Sequence, residues 1–273
     1  MKRIFFVMVA FVLTGLSGCK KVLDYIKDHP DNMVDNCKID EIYFTEHYID
    51  PLDGDGFILF RDTAGFKYNA LGQVISIDYA SQKNDLGWDV YPIMGKVFKY
   101  DSNGRLQGYF TNAEVQGVSI SGREAHWYTY INEKSIIDSV GTYTSSGTDI
   151  NDGWEYGYAS FYSRITMDNY GRVIKEEFSD GNTVSYNYDN KGNLIKPGVT
   201  YTNKTNILQT SKALMFVTRN YSVNATTGSA TQFNTNGLPV KINAGYLPVI
   251  TEIYPGLISP FDQQNVTVKY ICK

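Results

Sequence analysis

The sequence predicts an all-β protein built on a long, curved antiparallel β-meander. Three observations predict it: a turn motif that recurs five times, alternation of apolar and polar residues between the turns, and a composition rich in glycine and aromatic residues. The 273 residues include 24 glycines and 22 tyrosines, and tyrosine favours strands. A hydrophobic fraction of 42% is sufficient for a folded core.

The first residues have the pattern of an export signal. Lys2 and Arg3 precede an apolar run over residues 4–13, which is too short to span a bilayer as a permanent helix. A charged start followed by such a run and by small residues is typical of a secretory signal peptide. The segment ends in Leu-Ser-Gly-Cys at residues 16–19, which resembles the bacterial lipobox, in which the cysteine is acylated and becomes the new N-terminus.

This pattern divides the chain into three parts. We predict a lipoprotein signal peptide over residues 1–18, a tether over residues 19–38 with a lipid on Cys19, and a single β domain over residues 39–273. The alternative is an ordinary signal peptide with a chance cysteine at its cleavage site. A lipid on Cys19 implies the outer membrane. An acidic run directly after the cysteine would resemble the surface-export signal of bacterial lipoproteins. Two lysines stand there instead, which favours the periplasmic face.

Acylation of Cys19 leaves two other cysteines, Cys37 and Cys272, near opposite ends of the mature chain. In an oxidising compartment, two such cysteines favour a disulfide. Closing a loop of this length stabilises a fold by roughly 4–5 kcal/mol in the chain-entropy model. Two free thiols that never meet are the alternative.

A seven-residue motif recurs between the candidate strands. Its pattern is a bulky apolar residue, Asp or Asn, two variable residues, Gly, one variable residue and an aliphatic residue. The five copies span residues 68–74, 100–106, 167–173, 188–194 and, in degenerate form, 233–239, and their glycines are Gly72, Gly104, Gly171, Gly192 and Gly237. Asp or Asn at the first turn position accepts hydrogen bonds from the backbone that follows, and Gly supplies a positive φ. Each copy therefore predicts a tight hairpin.

These copies look like the YD repeats of the Rhs family, and more closely like those of the YD-repeat lipoproteins of Bacteroidetes-type bacteria. The segment from Asn203 to Asn224 is also similar to the C-terminal region of such lipoproteins. The resemblance implies an envelope location and a sheet built from hairpin repeats, and it brings no catalytic residues. Because the repeat glycines are unequally spaced, it also implies that degenerate copies fill the longer gaps.

Period-two alternation and the turn positions define the candidate strands. They span residues 40–48, 57–61, 66–69, 73–79, 96–100, 105–110, 115–120, 125–132, 135–144, 154–168, 172–178, 183–188, 193–195 and 265–271. Sequential hairpins favour pairing between neighbours, and a sheet of this many strands must curl, close partly or be covered. Residues 207–218 fit a short helix or a buried strand. Residues 239–260 contain four prolines, which disfavours a central strand and predicts an extended covering loop.

Acidic residues and histidines give only weak signals for catalysis or metal binding. The acidic turn at residues 50–56 lacks the spacing and the closing Glu of an EF-hand, so we predict neither a metal site nor a cofactor. Glu176 and Glu177 would point to opposite faces of a strand, which separates them as a catalytic pair. His126 lies among aromatic residues, and we predict a structural role for it because no Gly-x-Ser-x-Gly motif accompanies it.

Aromatic residues crowd the middle of the chain, and we expect most of them in the core or in cross-strand pairs. Trp88, Trp127 and Trp154 are the candidates for stacking on a ligand. The net charge of −4 provides no basic surface and argues against a nucleic-acid partner.

Together these observations predict a non-enzymatic envelope lipoprotein that acts as a binding or scaffold module. Its lipid would attach it to the membrane, and its partner would be an envelope protein or a glycan. A glycan-binding lipoprotein that uses exposed aromatic residues is one alternative. A polysaccharide hydrolase with a carboxylate pair is the other.

Overall fold

The computed structural model of the protein describes residues 37–49, 57–80, 93–115, 118–119, 123–144, 155–243 and 265–272. These residues form antiparallel β-structure with almost no helix, which confirms the predicted all-β class. No helix in these ranges is long and apolar enough to cross a membrane.

The strands are β1 (Cys37–Ile49), β2 (Phe57–Tyr68), β3 (Val74–Ala80), β4 (Ile93–Tyr100), β5 (Leu106–Val115), β6 (Val118–Ser119), β7 (Arg123–Asn132), β8 (Ser135–Thr144), β9 (Glu155–Met167), β10 (Val173–Phe178), β11 (Thr183–Ser185), β12 (Tyr201–Thr205), β13 (Asn224–Thr226), β14 (Ala230–Phe233), β15 (Pro239–Asn243) and β16 (Asn265–Cys272). A 3-10 helix over Ile207–Thr210 and helix α1 over Lys212–Val217 lie between β12 and β13.

Most of the described strands belong to one large sheet. Its order is β11-β10-β9-β8-β7-β5-β4-β3-β2-β1-β16-β15-β14, with β6 paired to β5 outside this path, and β12 and β13 form a separate pair. From β1 to β11 the chain is a meander, as the sequential hairpins predict. The last strands are added on the other side of β1, so the first and last strands are neighbours. The order ends at β11 and β14, so the sheet is open within the described ranges.

The two ends of the strands differ in the connections they carry. Because neighbouring strands run in opposite directions, every second connection lies at the same end. The motif copies at 68–74, 100–106 and 167–173 join β2–β3, β4–β5 and β9–β10 at one end, which we name the turn end. The hairpin between β7 and β8 and the residues Cys37 and Cys272 also lie there.

The opposite end, which we name the loop end, carries the turn between β10 and β11 at residues 179–182. Four further connections at this end, residues 50–56, 81–92, 145–154 and 244–264, fall outside the described ranges. The connection between β5 and β7 is described only at β6.

A β-bulge follows three of the motif copies and changes which residues face the core. Ile75, Gln107 and Ile174 are skipped in the strand register directly after the motif aliphatic residue. Residues three apart in a regular strand lie on opposite faces, but a bulge places them on the same face. The pairs that are buried in this way are Val74 with Ile77, Leu106 with Tyr109, and Val173 with Glu176.

The core lies between one face of the sheet and the segment that contains the two helices. Ile207, Leu208, Leu214 and Phe216 of this segment belong to the same buried cluster as residues of β1, β3, β5, β8 and β16. The 3-10 helix contacts β1, while Phe216 packs edge-on against Tyr128 of β7 with ring centroids 4.8 Å apart. A flat sheet would hold β1 and β7 about 24 Å apart, so the sheet curves around the helical segment.

Three details of the predicted element map are wrong. Residues 239–243 form a strand rather than the start of a covering loop, because Pro239 is the first residue of β15, where its ring displaces no ladder hydrogen bond. The rest of the predicted loop, residues 244–260, lies outside the described ranges. β1 begins at Cys37, two residues before the predicted domain boundary. The predicted strands 57–61 and 66–69 are one continuous strand, β2.

Candidate functional site

Each motif copy closes by the same hydrogen bonds. In the first copy, the Asn69 amide donates to the Gln73 carbonyl at 3.0 Å, and the Gly72 amide donates to the Asn69 carbonyl at 2.9 Å. The Asn69 Oδ1 accepts from the amides of Leu71 and Gln73, both at 3.0 Å. The same four bonds recur in the turns that begin at Asp101, Asp168, Asp189 and Asn234.

The repeat glycines occupy the left-handed region at all five turns. Their φ angles are 79° at Gly72, 75° at Gly104, 73° at Gly171, 82° at Gly192 and 75° at Gly237. A residue with a Cβ atom is strained in this conformation, so glycine is the residue that the turn requires.

Tyrosine hydroxyls connect each turn to its neighbour. Tyr100 donates to the Val74 carbonyl at 2.8 Å, and Tyr188 donates to the Val173 carbonyl at 3.1 Å. The acceptor in both cases is the aliphatic residue that ends a motif copy. Further tyrosines make equivalent bonds: Tyr68 to Ile39, Tyr130 to Leu106, Tyr201 to Leu194 and Tyr270 to Pro239. We name this series the tyrosine ladder.

Cations cover several rings of the ladder. The Arg105 guanidinium lies 4.5 Å from the Tyr130 ring centroid, and the Arg172 guanidinium lies 4.2 Å from that of Tyr188. Each arginine also bonds the Asp of its own turn. Burial raises the pKa of Tyr130 to about 12, so this hydroxyl stays protonated and donates across the physiological range.

A disulfide between Cys37 and Cys272 closes the seam between the first and last strands. The two residues face each other in the register of β1 and β16, and 235 residues separate them in sequence. Leu238 of the fifth motif copy is buried against Cys37, and the Asn236 Nδ2 lies 3.2 Å from the Cys37 Sγ. The fifth turn therefore packs directly on the disulfide.

Away from the turns, Arg219 joins two buried carboxylates from different strands. Its Nη2 lies 3.0 Å from the Asp138 Oδ2 and 3.0 Å from the Glu176 Oε1, while its Nε lies 3.1 Å from the Glu176 Oε2. The Ser163 hydroxyl donates to the Glu176 Oε1 at 2.6 Å, and Tyr186 donates to the other oxygen at 3.3 Å. We name these five residues the Arg219 cluster.

The charges of the cluster stabilise each other. Burial alone raises the pKa of Glu176, but hydrogen bonds and the charge of Arg219, together with Ser163 and Tyr186, outweigh it and hold that pKa below 4.5. Burial disfavours the charged form of Arg219, yet its neighbours keep its pKa well above the ordinary value. Asp138 is only 2% exposed, so removal of the arginine would leave Glu176 buried without a cation and Asp138 with His126 alone as its ion-pair partner among the described residues.

The backbone at Arg219 is itself unusual. Helix α1 ends in a Schellman motif, in which the Asn220 amide donates to the Met215 carbonyl and the Arg219 amide donates to the Phe216 carbonyl. Arg219 occupies the left-handed position of this motif with φ 52°, and it is the one non-glycine residue with positive φ in the described ranges. Glycine is the usual residue at such a position, so the ion pairs hold a strained arginine in place.

His126 extends the cluster towards β5. Its Nδ1 lies 2.9 Å from the Asp138 Oδ1, and its ring stacks on Tyr109 with centroids 4.5 Å apart. Asp138 therefore orients a histidine, as in a hydrolytic triad, but the nearby Ser163 donates its proton to Glu176 instead of to His126.

Among the residues singled out in the sequence, the structure describes Trp127, Glu176 and Glu177. Trp127 faces away from the helical segment and packs with Phe110, Ala125 and Val97 in a small second cluster. Trp88, Trp154 and the predicted lipid site Cys19 lie outside the described residues. Glu176 and Glu177 point to opposite faces, since Glu176 is buried in the Arg219 cluster while Glu177 binds Lys175 at 2.8 Å.

Comparison with protein-family models and with curated proteins finds no match for this sequence.

Sequence reasoning did not find the Arg219 cluster, although the sequence contains one signal of it. The residue three positions after the motif aliphatic is Ile77 in the first copy and Tyr109 in the second, and both are buried. In the third copy this position holds Glu176. A carboxylate at a position where other copies bury a hydrophobic side chain indicates a buried partner, but the partner itself, Arg219, is 43 residues away and has no pattern of its own.

Proposed function

We propose that this protein is an acylated lipoprotein of the bacterial outer membrane, on its periplasmic face, whose repeat sheet serves as a non-enzymatic binding or scaffold module. The observation that carries the proposal is the disulfide between Cys37 and Cys272. Disulfides persist in oxidising compartments such as the bacterial periplasm, which supports export of the chain. The same bond uses two of the three cysteines and leaves Cys19 as the remaining one, at the end of a lipobox-like segment.

The use of polar groups in the described residues supports a scaffold role. The acidic and amide side chains of the five turns bind their own backbone, and the tyrosine ladder binds backbone carbonyls. Asp138 and Glu176 converge on one point, as a hydrolase would require, but both are buried and Arg219 occupies the space between them. These groups are therefore committed to holding the fold.

Mass spectrometry of the intact protein extracted from membranes tests the anchor. The mature chain is expected to begin at residue 19 with acyl chains on Cys19, and the Cys19→Ser variant is expected to lose both the acyl mass and the membrane fraction. A chain that is cleaved elsewhere and is soluble in the absence of detergent would contradict the proposal.

A release assay tests the non-enzymatic part. Purified protein incubated with peptidoglycan and envelope polysaccharides is expected to release no reducing ends above a heat-treated control. Release that disappears in the Asp138→Asn variant would overturn this part and would establish the carboxylates as catalytic.

Of the three candidate tryptophans, Trp127 is half-buried against Phe110 and Ala125, so the glycan-binding alternative is tested first at Trp88 and Trp154. A glycan array with Trp88→Ala and Trp154→Ala distinguishes this alternative from the scaffold. Trp127→Ala is the matched control, since it removes an indole from a packed cluster. Binding that is lost in the first two variants and retained in the third would favour the glycan reading.

A further inference from the structure

The turn end carries a row of exposed apolar side chains. Leu71 is 78% exposed, Ile131 62%, Tyr170 60% and Ile271 54%. Leu71 and Tyr170 occupy the third position of their turns, and Ile131 and Ile271 lie one strand residue from the same end. These are separate side chains and not one contiguous apolar patch, so they suit shallow insertion into a lipid surface better than a packed interface.

The sequence order of the strands places these tips along one line. From β10 towards β16, the turn end presents Tyr170, then Ile131, Leu71 and Ile271. Cations lie between them: Arg105 pairs with Asp101, Lys134 donates to Asn169, and Lys38 lies over the Tyr68 ring, so each is held at this end by a neighbouring side chain. The row thus combines aliphatic tips, one tyrosine and cations.

The start of the described chain lies at the same end. Cys37 is the first residue of β1, and the disulfide to Cys272 fixes it there. At no more than ~3.6 Å per residue, the chain from Cys19 to Cys37 reaches at most ~65 Å, so a lipid on Cys19 tethers the protein to the membrane through its turn end. A short link of this kind raises the effective concentration of weak contacts to roughly the millimolar range.

We infer that the turn end is the membrane-facing surface of the protein, and that its apolar tips and cations rest in the headgroup region of the bilayer. This inference depends on the proposed acylation of Cys19. Tyrosine and lysine are side chains suited to the boundary between water and acyl chains, and a lipid surface matches a row of separate apolar tips better than a packed protein interface does. The loop end is thereby directed away from the membrane.

A fluorescence experiment on the full acylated chain tests the inference. With Cys19 acylated and the other two cysteines in a disulfide, a cysteine introduced by Leu71→Cys is the single free thiol for an environment-sensitive dye. Asp180→Cys at the loop end is the matched control, because Asp180 is an exposed residue of a polar turn. Both proteins are reconstituted in vesicles of phosphatidylethanolamine and phosphatidylglycerol, and a neutral aqueous quencher is added.

The inference predicts that quenching at position 71 is slower than at position 180 by about five-fold or more, with blue-shifted emission at position 71. Equal quenching at both positions in protein that floats with the vesicles would overturn the inference and leave the proposed function intact. Protection at position 71 in native membranes but not in vesicles would also overturn it, in favour of an envelope protein as the partner. Wild-type protein that does not float, or that accepts the dye, would instead overturn the proposed acylation.

Discussion

At the turn end, a polar side chain binds the backbone four residues away, whereas around Arg219 the partners are separated by 43 and 81 residues. The turns are local, repeated five times and partly exposed. The Arg219 cluster occurs once, is buried, and joins the helical segment to β8 and β10. The repeats therefore define which strands pair, while the cluster fixes the position of the helical segment on the sheet.

This contrast predicts different costs for similar substitutions. Each turn contributes only a modest part of the unfolding free energy, since its hydrogen bonds are formed by neighbours in sequence. The cluster concentrates its contribution in one arginine, because two buried carboxylates depend on it.

The largest effect is expected for Arg219→Met. Removal of the guanidinium leaves Glu176 buried without a cation and Asp138 paired with His126 alone, which costs about 3–5 kcal/mol of unfolding free energy. Urea denaturation followed by circular dichroism measures it. Arg105→Met is the control, because it removes an arginine from a half-exposed turn pair and is expected to cost less than about 1 kcal/mol. Equal losses in both variants would contradict the contrast.

A rescue variant sharpens the same test. Adding Asp138→Asn and Glu176→Gln to Arg219→Met removes the uncompensated charge, so we expect the triple variant to recover part of the lost stability. No recovery would mean that the arginine stabilises through its packing alone.

The second effect concerns the disulfide at the turn end. The double variant Cys37→Ser and Cys272→Ser is expected to lose about 2–4 kcal/mol of unfolding free energy, because the unfolded chain gains freedom; this is below the chain-entropy value, since an unfolded chain that retains some structure gains less. Urea unfolding of the wild type with and without reductant provides the comparison. Reductant should lower the unfolding midpoint of the wild type and leave that of the double variant unchanged. A lower midpoint in both would show that reductant destabilises the protein by a route other than this disulfide.

Two repeat glycines separate backbone strain from packing. A Cβ atom at Gly171 meets nothing within 4 Å, so Gly171→Ala is expected to cost only the left-handed strain of about 1 kcal/mol. A Cβ atom at Gly192 would lie 2.9 Å from the Val223 Cγ2, so Gly192→Ala is expected to cost more. Thermal unfolding measures both. In a Val223→Ala background the two costs should converge, and a persistent gap would refute the packing explanation.

The tyrosine ladder predicts a smaller effect. Tyr100→Phe removes a hydrogen bond to the Val74 carbonyl and is expected to cost about 1 kcal/mol. The buried Tyr128 hydroxyl lies close to Arg219 but makes no hydrogen bond of good geometry in the described part of the chain, so Tyr128→Phe should cost less than Tyr100→Phe. Chemical denaturation of both variants decides whether the ladder contributes through its hydroxyls. Equal destabilisation by both substitutions would assign the contribution to ring packing.

The smallest effect is a pH dependence of the cluster. The folded-state pKa of Glu176 lies below its unfolded value of 4.5, so its contribution is complete above that value and is lost as the pH falls through the folded-state pKa. Denaturation midpoints between pH 6 and pH 3 should therefore fall less steeply in Glu176→Gln than in the wild type. If the midpoints of both proteins fall in parallel with pH, Glu176 does not contribute to the loss of stability in acid.

The sequence alone determined the local architecture. Asp or Asn, Gly and an aliphatic residue at fixed spacing select one turn, because its hydrogen bonds and its positive φ involve only seven consecutive residues. Strand alternation and sequential hairpins then determined an antiparallel meander. The pairing of Cys37 with Cys272 could be predicted because few cysteines were available.

Only the tertiary structure decided how distant segments meet. It placed β16 beside β1, made a strand of residues 239–243, and formed the helix at 212–217, where a buried strand was equally compatible with the local pattern. It also joined Arg219 to Asp138 and Glu176, which share no motif and no regular spacing. The physical reason is range: turn chemistry acts over a few residues, whereas burial and charge compensation act between whichever side chains the folded sheet brings together.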